Sequence, residues 1–172
     1  MGLFSRFTSS KNQTEPLRVD LGTFEFGNTQ IGARPSDADG FGQALLKTGT
    51  YQEERRGIEL SAKDGLLDSA FLTLEDFDGE FLLHGSAIEL DTSTSEQEVQ
   101  RLFGDPYWTD RSDGEVIQFY EYAEGALELQ FEFPDATSLG FITVAVEGIL
   151  SNKKQRDRYG VTKPWPPELS KP

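Results

Sequence analysis

Apolar and polar positions alternate most regularly between residues 115 and 133. In "EVIQFYEY" and "ALELQFEF", which flank a turn at Glu124-Gly125, the alternation is that of a hairpin half exposed to water. Leu127, Leu129, Phe131 and Phe133 share one parity, and Glu128, Gln130 and Glu132 the other. On the facing strand Val116, Gln118, Tyr120 and Tyr122 alternate with Ile117, Phe119 and Glu121. If Ile117 and Phe119 join the Leu/Phe side, the water-facing surface displays Gln118, Tyr120, Tyr122, Glu128, Gln130 and Glu132. A helical period precedes the hairpin. In "STSEQEVQRLFGDP", Val99, Leu102 and Phe103 form an i, i+3, i+4 stripe, Ser95 and Glu98 a capping box, and Gly104 with Pro106 the stop.

The same succession is legible earlier in the chain. "GTFEFGNTQI" from Gly22, "GEFLLHGSAI" from Gly79 and "GFITVAVEGI" from Gly140 align without gaps at offsets of 57 and 61 residues. "SDADGFGQALLKTG" then corresponds to the helix stretch, with Asp37 or Asp39 as N-cap and Phe41, Ala44 and Leu45 as the stripe. "KDGLLDSAFLTL" corresponds to "AEGALELQFEFP", but it is apolar at both parities beyond Ala70, so either of its faces can be the open one. The pattern predicts an α+β fold, a tandem repeat of strand, helix and antiparallel meander sharing one antiparallel sheet, with both helices on one face. Its parts are a flexible N-terminal segment (1–18), a first repeat (19–78), a second repeat (79–150) and a basic, Pro-rich tail (151–172) expected to be extended and pinned by Tyr159 and Trp165.

This helix-then-meander module, carried by "STSEQEVQRLFGDP" followed by "FYEYAEGALELQFEF", resembles the beta-lactamase inhibitor protein fold, a tandem of two such units. It is also similar to the single-unit domain of small lipoproteins of the bacterial outer-membrane assembly machinery. The first resemblance implies inhibition or neutralisation of another protein. The chain departs from both families in its lack of cysteines, signal peptide and lipid anchor, which argues against an extracytoplasmic role and makes the cytoplasm the expected address.

Charge narrows the class of partner. The net charge is −14, and the basic tail holds six Lys/Arg against two acids, leaving ten against twenty-eight in residues 1–150. Such a body repels a phosphate backbone and suits a protein partner with a basic surface. The longest apolar run, "LGFITVAVEGIL", carries Glu147 and is too short for a transmembrane segment.

Candidate chemistry is sparse. The one histidine, His84, lies in apolar "EFLLHG", where it reads as a strand residue with a satisfied ring, and Ser86 has no nucleophile turn around it. Asp37 and Asp39 read as helix caps and Asp76 with Asp78 as a hairpin turn, since neither run supplies the later bidentate Glu of a calcium loop. No Lys-bearing phosphate loop or dinucleotide fingerprint is present. No catalytic residue, metal site or cofactor is therefore assigned. Tyr107 and Trp108 directly follow the helix stop, where Trp108 is either a partner anchor or a lid over the core.

The sequence thus predicts a non-enzymatic protein-binding module, an acidic inhibitor or immunity-like protein. Its expected binding residues are Tyr120, Tyr122, Gln118, Glu128, Gln130, Glu132, Trp108 and Tyr107. The alternatives are an accessory or scaffold protein of a bacterial assembly, docking through the tail, and a carboxylate-dependent hydrolase.

Overall fold

A capping box starts the best-defined helix. In the computed structural model, which describes residues 16–162, Ser95 Oγ accepts the Glu98 N–H at 3.4 Å, and the Ser95 N–H donates to Glu98 Oε2 at 2.8 Å. These bonds satisfy two of the donors that a helix N-terminus leaves free. The helix, α2 (Glu96–Phe103), ends at Gly104, whose N–H returns to the Gln100 carbonyl.

The earlier helix, α1 (Gly42–Thr48), starts differently from expectation. Neither Asp37 nor Asp39 caps it; Phe41 holds that position without a side-chain bond. The Asp39 carboxylate instead accepts the Asn28 N–H and Nδ2, each at 2.9 Å, and Thr29 Oγ1 at 2.5 Å, tying the entry of α1 to a preceding turn. Gly27 makes this approach possible, because a Cβ there would collide with Asp39 Oδ1.

The strands form two sheets rather than the single one predicted. The smaller runs β3-β2-β1-β7-β8, from β1 (Arg18–Asp20), β2 (Glu25–Phe26), β3 (Thr29–Gln30), β7 (Glu80–Leu83) and β8 (Ser86–Ile88). Its β1–β7 pair is parallel, and its other pairs are antiparallel. The larger sheet, wholly antiparallel, has the order β4-β5-β6-β12-β11-β10-β9. It contains β4 (Thr50–Glu53), β5 (Ile58–Lys63), β6 (Leu66–Thr73), β9 (Trp108–Asp110), β10 (Val116–Tyr122), β11 (Leu127–Phe133) and β12 (Phe141–Val146).

The fold is α+β. The three aligned segments do not occupy equivalent places, however: "GEFLLHGSAI" is the β7–β8 hairpin of the small sheet, whereas "GFITVAVEGI" supplies β12 inside the large one. Gly-rich, alternating stretches specify strands well and neighbours poorly. His84 is accordingly not a strand residue. It is exposed at the β7–β8 corner with a φ of 51°, and its N–H and that of Gly85 donate to the buried Asp20 carboxylate.

Residues directly opposite one another in a sheet share a face. Tyr51, Leu60, Ala70, Val144, Leu129 and Tyr120 make one such row across six strands. Against this face lie Leu45 of α1, Val99 of α2, and Val19, Phe26 and Phe81 of the small sheet, all in one hydrophobic core. Both of these helices therefore sit on the same face, as the pattern predicted.

The expected extended tail is, in its described part, a helix. A helical turn over Ile149–Ser151 leads to α3 (Lys153–Tyr159), where Asn152 caps the Lys154 N–H and Lys153 pairs with Asp157 one turn on. Leu150 and Val161 anchor it on the opposite face of the large sheet, in a second cluster with Tyr107 and Phe119. Two apolar residues flanking a charged helix do the burying, so the helix shows no apolar stripe. The N-terminal segment up to residue 15 and Trp165 lie outside the described residues.

Candidate protein-binding face

The register of β10 against β11 decides which side chains face out. Gln118 lies opposite Phe131, and Tyr120 opposite Leu129, so Val116, Gln118, Tyr120 and Tyr122 belong to the core face. This reverses the predicted parity of β10. Phe103 of α2 packs on Phe131 with ring centroids 4.8 Å apart, and Tyr120 meets the same ring edge-on at 5.7 Å. Tyr122 leans on Phe24 at 4.9 Å.

Gln118, 0% exposed, is tolerated there because its polar ends are used. Its Nε2 donates to Glu96 Oε2 at 3.2 Å, and its Oε1 accepts from the Tyr120 hydroxyl at 3.3 Å. The same hydroxyl lies 3.1 Å from the Gly104 carbonyl. Burial pushes the Tyr120 phenol pKa well above its ordinary value, with Tyr122, Asp105 and Glu96 adding to the rise. Gln118 and Tyr120 are thus core residues of the helix–sheet interface and present no surface to a partner.

Ile117 and Phe119 point the other way, toward the C-terminal segment. Tyr107, Phe119, Leu150 and Val161 form the second cluster, with Ile117 and Trp108 packed against it. Trp108 lies 4.8 Å from Phe119 and 5.4 Å from Tyr159, so it serves as a lid over this cluster while keeping part of its ring exposed.

Glu128 also faces this side, but it is only 2% exposed. Its carboxylate accepts the Tyr107 hydroxyl at 2.7 Å, Gln130 Nε2 at 2.6 Å, and the N–H groups of Ile149 and Leu150 at 3.0 and 3.3 Å. Gly148 passes so close that a Cβ there would strike the Glu128 side chain. Glu128 and Tyr107, expected on a binding surface, are instead the clamp that holds the C-terminal segment down.

The rest of this face remains uncovered by the described residues. At its middle Phe71 of β6 and Phe141 of β12 stack with centroids 5.2 Å apart and planes 25° from parallel, both half-buried. Glu59 and Thr143 lie opposite Phe71, and Glu132 and Thr73 opposite Phe141. Burial raises the Glu132 carboxyl pKa, and the Glu115 charge raises it further. The result is an antiparallel surface with an aromatic centre and acidic edges.

Of the expected residues, Gln130 and Glu132 share this open face and Trp108 lies toward its rim, whereas Gln118, Tyr120, Tyr107 and Glu128 are interior. Phe71 and Phe141 were missed. The strand "FITVAV" carried a usable signal: Phe141, Thr143 and Ala145 alternate with the aliphatic Ile142, Val144 and Val146.

Among the described residues, no group of three or more His, Asp or Glu is placed to hold a metal ion, and no helix is long and apolar enough to cross a membrane. No family model matches the chain, and no curated protein does. Among solved structures, a DUF4309 family protein (YjgB) from Bacillus subtilis aligns at 13% identity over 66% of this chain and 71% of that one, with a TM-score of 0.36. A likeness at that score carries no argument about fold or function.

Proposed function

We propose that this protein is a non-catalytic binding module, inhibitor-like or immunity-like, that engages a basic protein surface through the open face of its large sheet. The observation that carries this reading is the half-buried Phe71–Phe141 stack bordered by Glu59 and Glu132. Aromatic anchors ringed by charge of one sign are what a complementary interface uses, the rings for affinity and the charges for steering and register. The body's net negative charge supports a basic partner over a nucleic acid.

The test is capture of a partner from the native cell by the tagged protein, in parallel with Phe71→Ser, Phe141→Ser and a Glu59→Gln/Glu132→Gln double variant. A partner through this face is retained by wild type, lost with either Phe change, and released by salt more readily from the double variant. A partner retained equally by all of them sinks the reading.

A further inference from the structure

One row of mutually opposite residues crosses the second face of the large sheet, from Gln52 of β4 through Glu59 and Phe71 to Phe119 of β10 and Trp108 of β9. The α3 segment packs on the Phe119–Trp108 end through Leu150 and Tyr159. At the other end Gln52 and Glu59 are exposed and Phe71 is half-buried, so the described residues leave this half bare. The described residues also expose three large apolar side chains, Leu66 at 44%, Ile149 at 46% and Tyr159 at 45%. All three belong to this side of the sheet. Leu66 pairs with Lys63 one step beyond the core pair Ala62–Leu67, which turns it toward the bare half. Ile149 and Tyr159 belong to the segment over the covered half. Apolar surface gathered on one side of a charged protein marks an interaction site.

Charge divides between the same two halves. The segment carries Lys153, Lys154, Arg156 and Arg158 against Asp157. Lys153 pairs with Asp157, and Arg156 donates to the Leu150 and Ser151 carbonyls, which leaves Lys154 and Arg158 exposed with no ion pair among the described residues. The bare half has Glu59 opposite Phe71 and Glu132 opposite Phe141. Lys63, at the far turn, is the one cation on β4, β5, β6 and β12.

We infer that the protein forms a twofold dimer through this side, the α3 segment of each copy resting on the bare half of the other. A twofold axis along the strands, at the boundary between the halves, sets each covered half against a bare one, and such a contact uses the same surface on both copies. Tyr159 and Ile149 of one copy then meet Phe71, Phe141 and Leu66 of the other, while Lys154 and Arg158 meet Glu59 and Glu132. Both complementary halves belong to one chain, which selects a second copy as the occupant. Four strands about 4.8 Å apart and about 20 Å long make a bare patch of roughly 400 Å². Each copy contributes that patch and the segment that fills its partner's, together about 800 Å², the size of a stable interface. The dimer goes beyond the reading given above for this face: the second copy is its resting occupant, which a basic partner displaces.

The experiment is sedimentation velocity of the full-length chain between about 5 and about 500 µM, in about 0.15 M salt so that repulsion between the acidic bodies is screened beyond about 8 Å. Wild type is expected to pass from monomer to dimer with a dissociation constant on the order of tens of micromolar. Lys154→Glu/Arg158→Glu and Gln52→Lys/Glu59→Lys should each weaken self-association at least about tenfold. An equimolar mixture of the two variants should recover it, because reversed segment then meets reversed sheet and native meets native. All four positions are exposed, so the substitutions spare the core. A chain monomeric at every concentration, an oligomer larger than a dimer, a dimer that survives both reversals, or a mixture no stronger than its components overturns the inference. A monomeric protein leaves the capture of a basic partner as it stood, and failed capture leaves the dimer as it stood, so the two proposals fail separately.

Discussion

The Tyr107 hydroxyl donates a 2.7 Å hydrogen bond to the Glu128 carboxylate, and this buried pair joins the strap before β9 to the backbone that leads into α3. Burial, followed by the Glu128 charge, pushes the Tyr107 phenol pKa far above its ordinary value, so the hydroxyl remains a donor throughout the accessible pH range. A carboxylate with four donors is well compensated, and removing it leaves those donors buried and unmet.

Glu128→Ala should therefore cost about 3 kcal/mol, and Tyr107→Phe about 1–3 kcal/mol. Hydrogen exchange at the Ile149 and Leu150 amides should accelerate in Glu128→Ala while the Leu129 and Val144 amides stay protected. Unchanged exchange at Ile149 and Leu150 would mean that the carboxylate does not hold the segment.

Tyr120 and Phe71 should respond in opposite ways. Tyr120 lies under α2 with its hydroxyl satisfied, so Tyr120→Ala should cost about 3–5 kcal/mol of stability, measured by denaturant unfolding. Phe71→Ala removes one member of a half-buried stack and should cost only about 0.5–1.5 kcal/mol beyond its lost buried area. A greater loss at Phe71 than at Tyr120 would mean that the exposed and buried faces have been exchanged.

That contrast also marks how far the sequence could be read. The helix capped by Ser95 and Glu98, the β10–β11 hairpin, the α+β class and the shared face of α1 and α2 were legible, because each follows from periodicity and local capping. The parity of β10 was not, because both of its faces are buried against different things: Gln118 and Tyr120 under α2, Ile117 and Phe119 under the segment around Leu150. A polar Gln inside and a Phe on the nominally open side defeat a rule that assumes one wet face. Phe71 and Phe141 escaped notice because their pairing joins strands about seventy residues apart, a register that turn chemistry cannot set.

Acid stability should report Asp20 and Asp135. Burial pushes the Asp20 pKa up, but N–H donations from Gly85, Gly22, Thr23 and His84 outweigh it and leave it lowered. Donation from the Ser138 and Thr137 backbone lowers Asp135 to about 2. With folded values below unfolded ones, both contributions are complete above the unfolded pKa of about 3.9 and are lost as pH falls through the folded value. Asp20→Asn should cost about 1–3 kcal/mol at neutral pH and flatten the fall in Tm as pH drops below the unfolded pKa of about 3.9. An acid limb as steep as that of wild type would show that Asp20 is not among its causes.

Glu132 has the opposite sign. Burial and Glu115 raise its pKa, so ionisation costs the folded state stability above that pKa, and the cost disappears as pH falls below it. Glu132→Gln should then raise the Tm of the free protein slightly at neutral pH, by less than about 0.5 kcal/mol equivalent, since the side chain is only half-buried and solvent screens it. The gain should vanish when pH is lowered through the raised pKa. A cationic partner favours the ionised carboxylate, so the same substitution should weaken binding, and wild-type affinity should start to fall at a higher pH than an ordinary Glu would give. Higher stability with lower affinity is the signature of a carboxylate kept for a partner at the expense of the fold. A Glu132→Gln protein that is less stable at neutral pH, or that binds as tightly as wild type, would assign Glu132 to the fold alone.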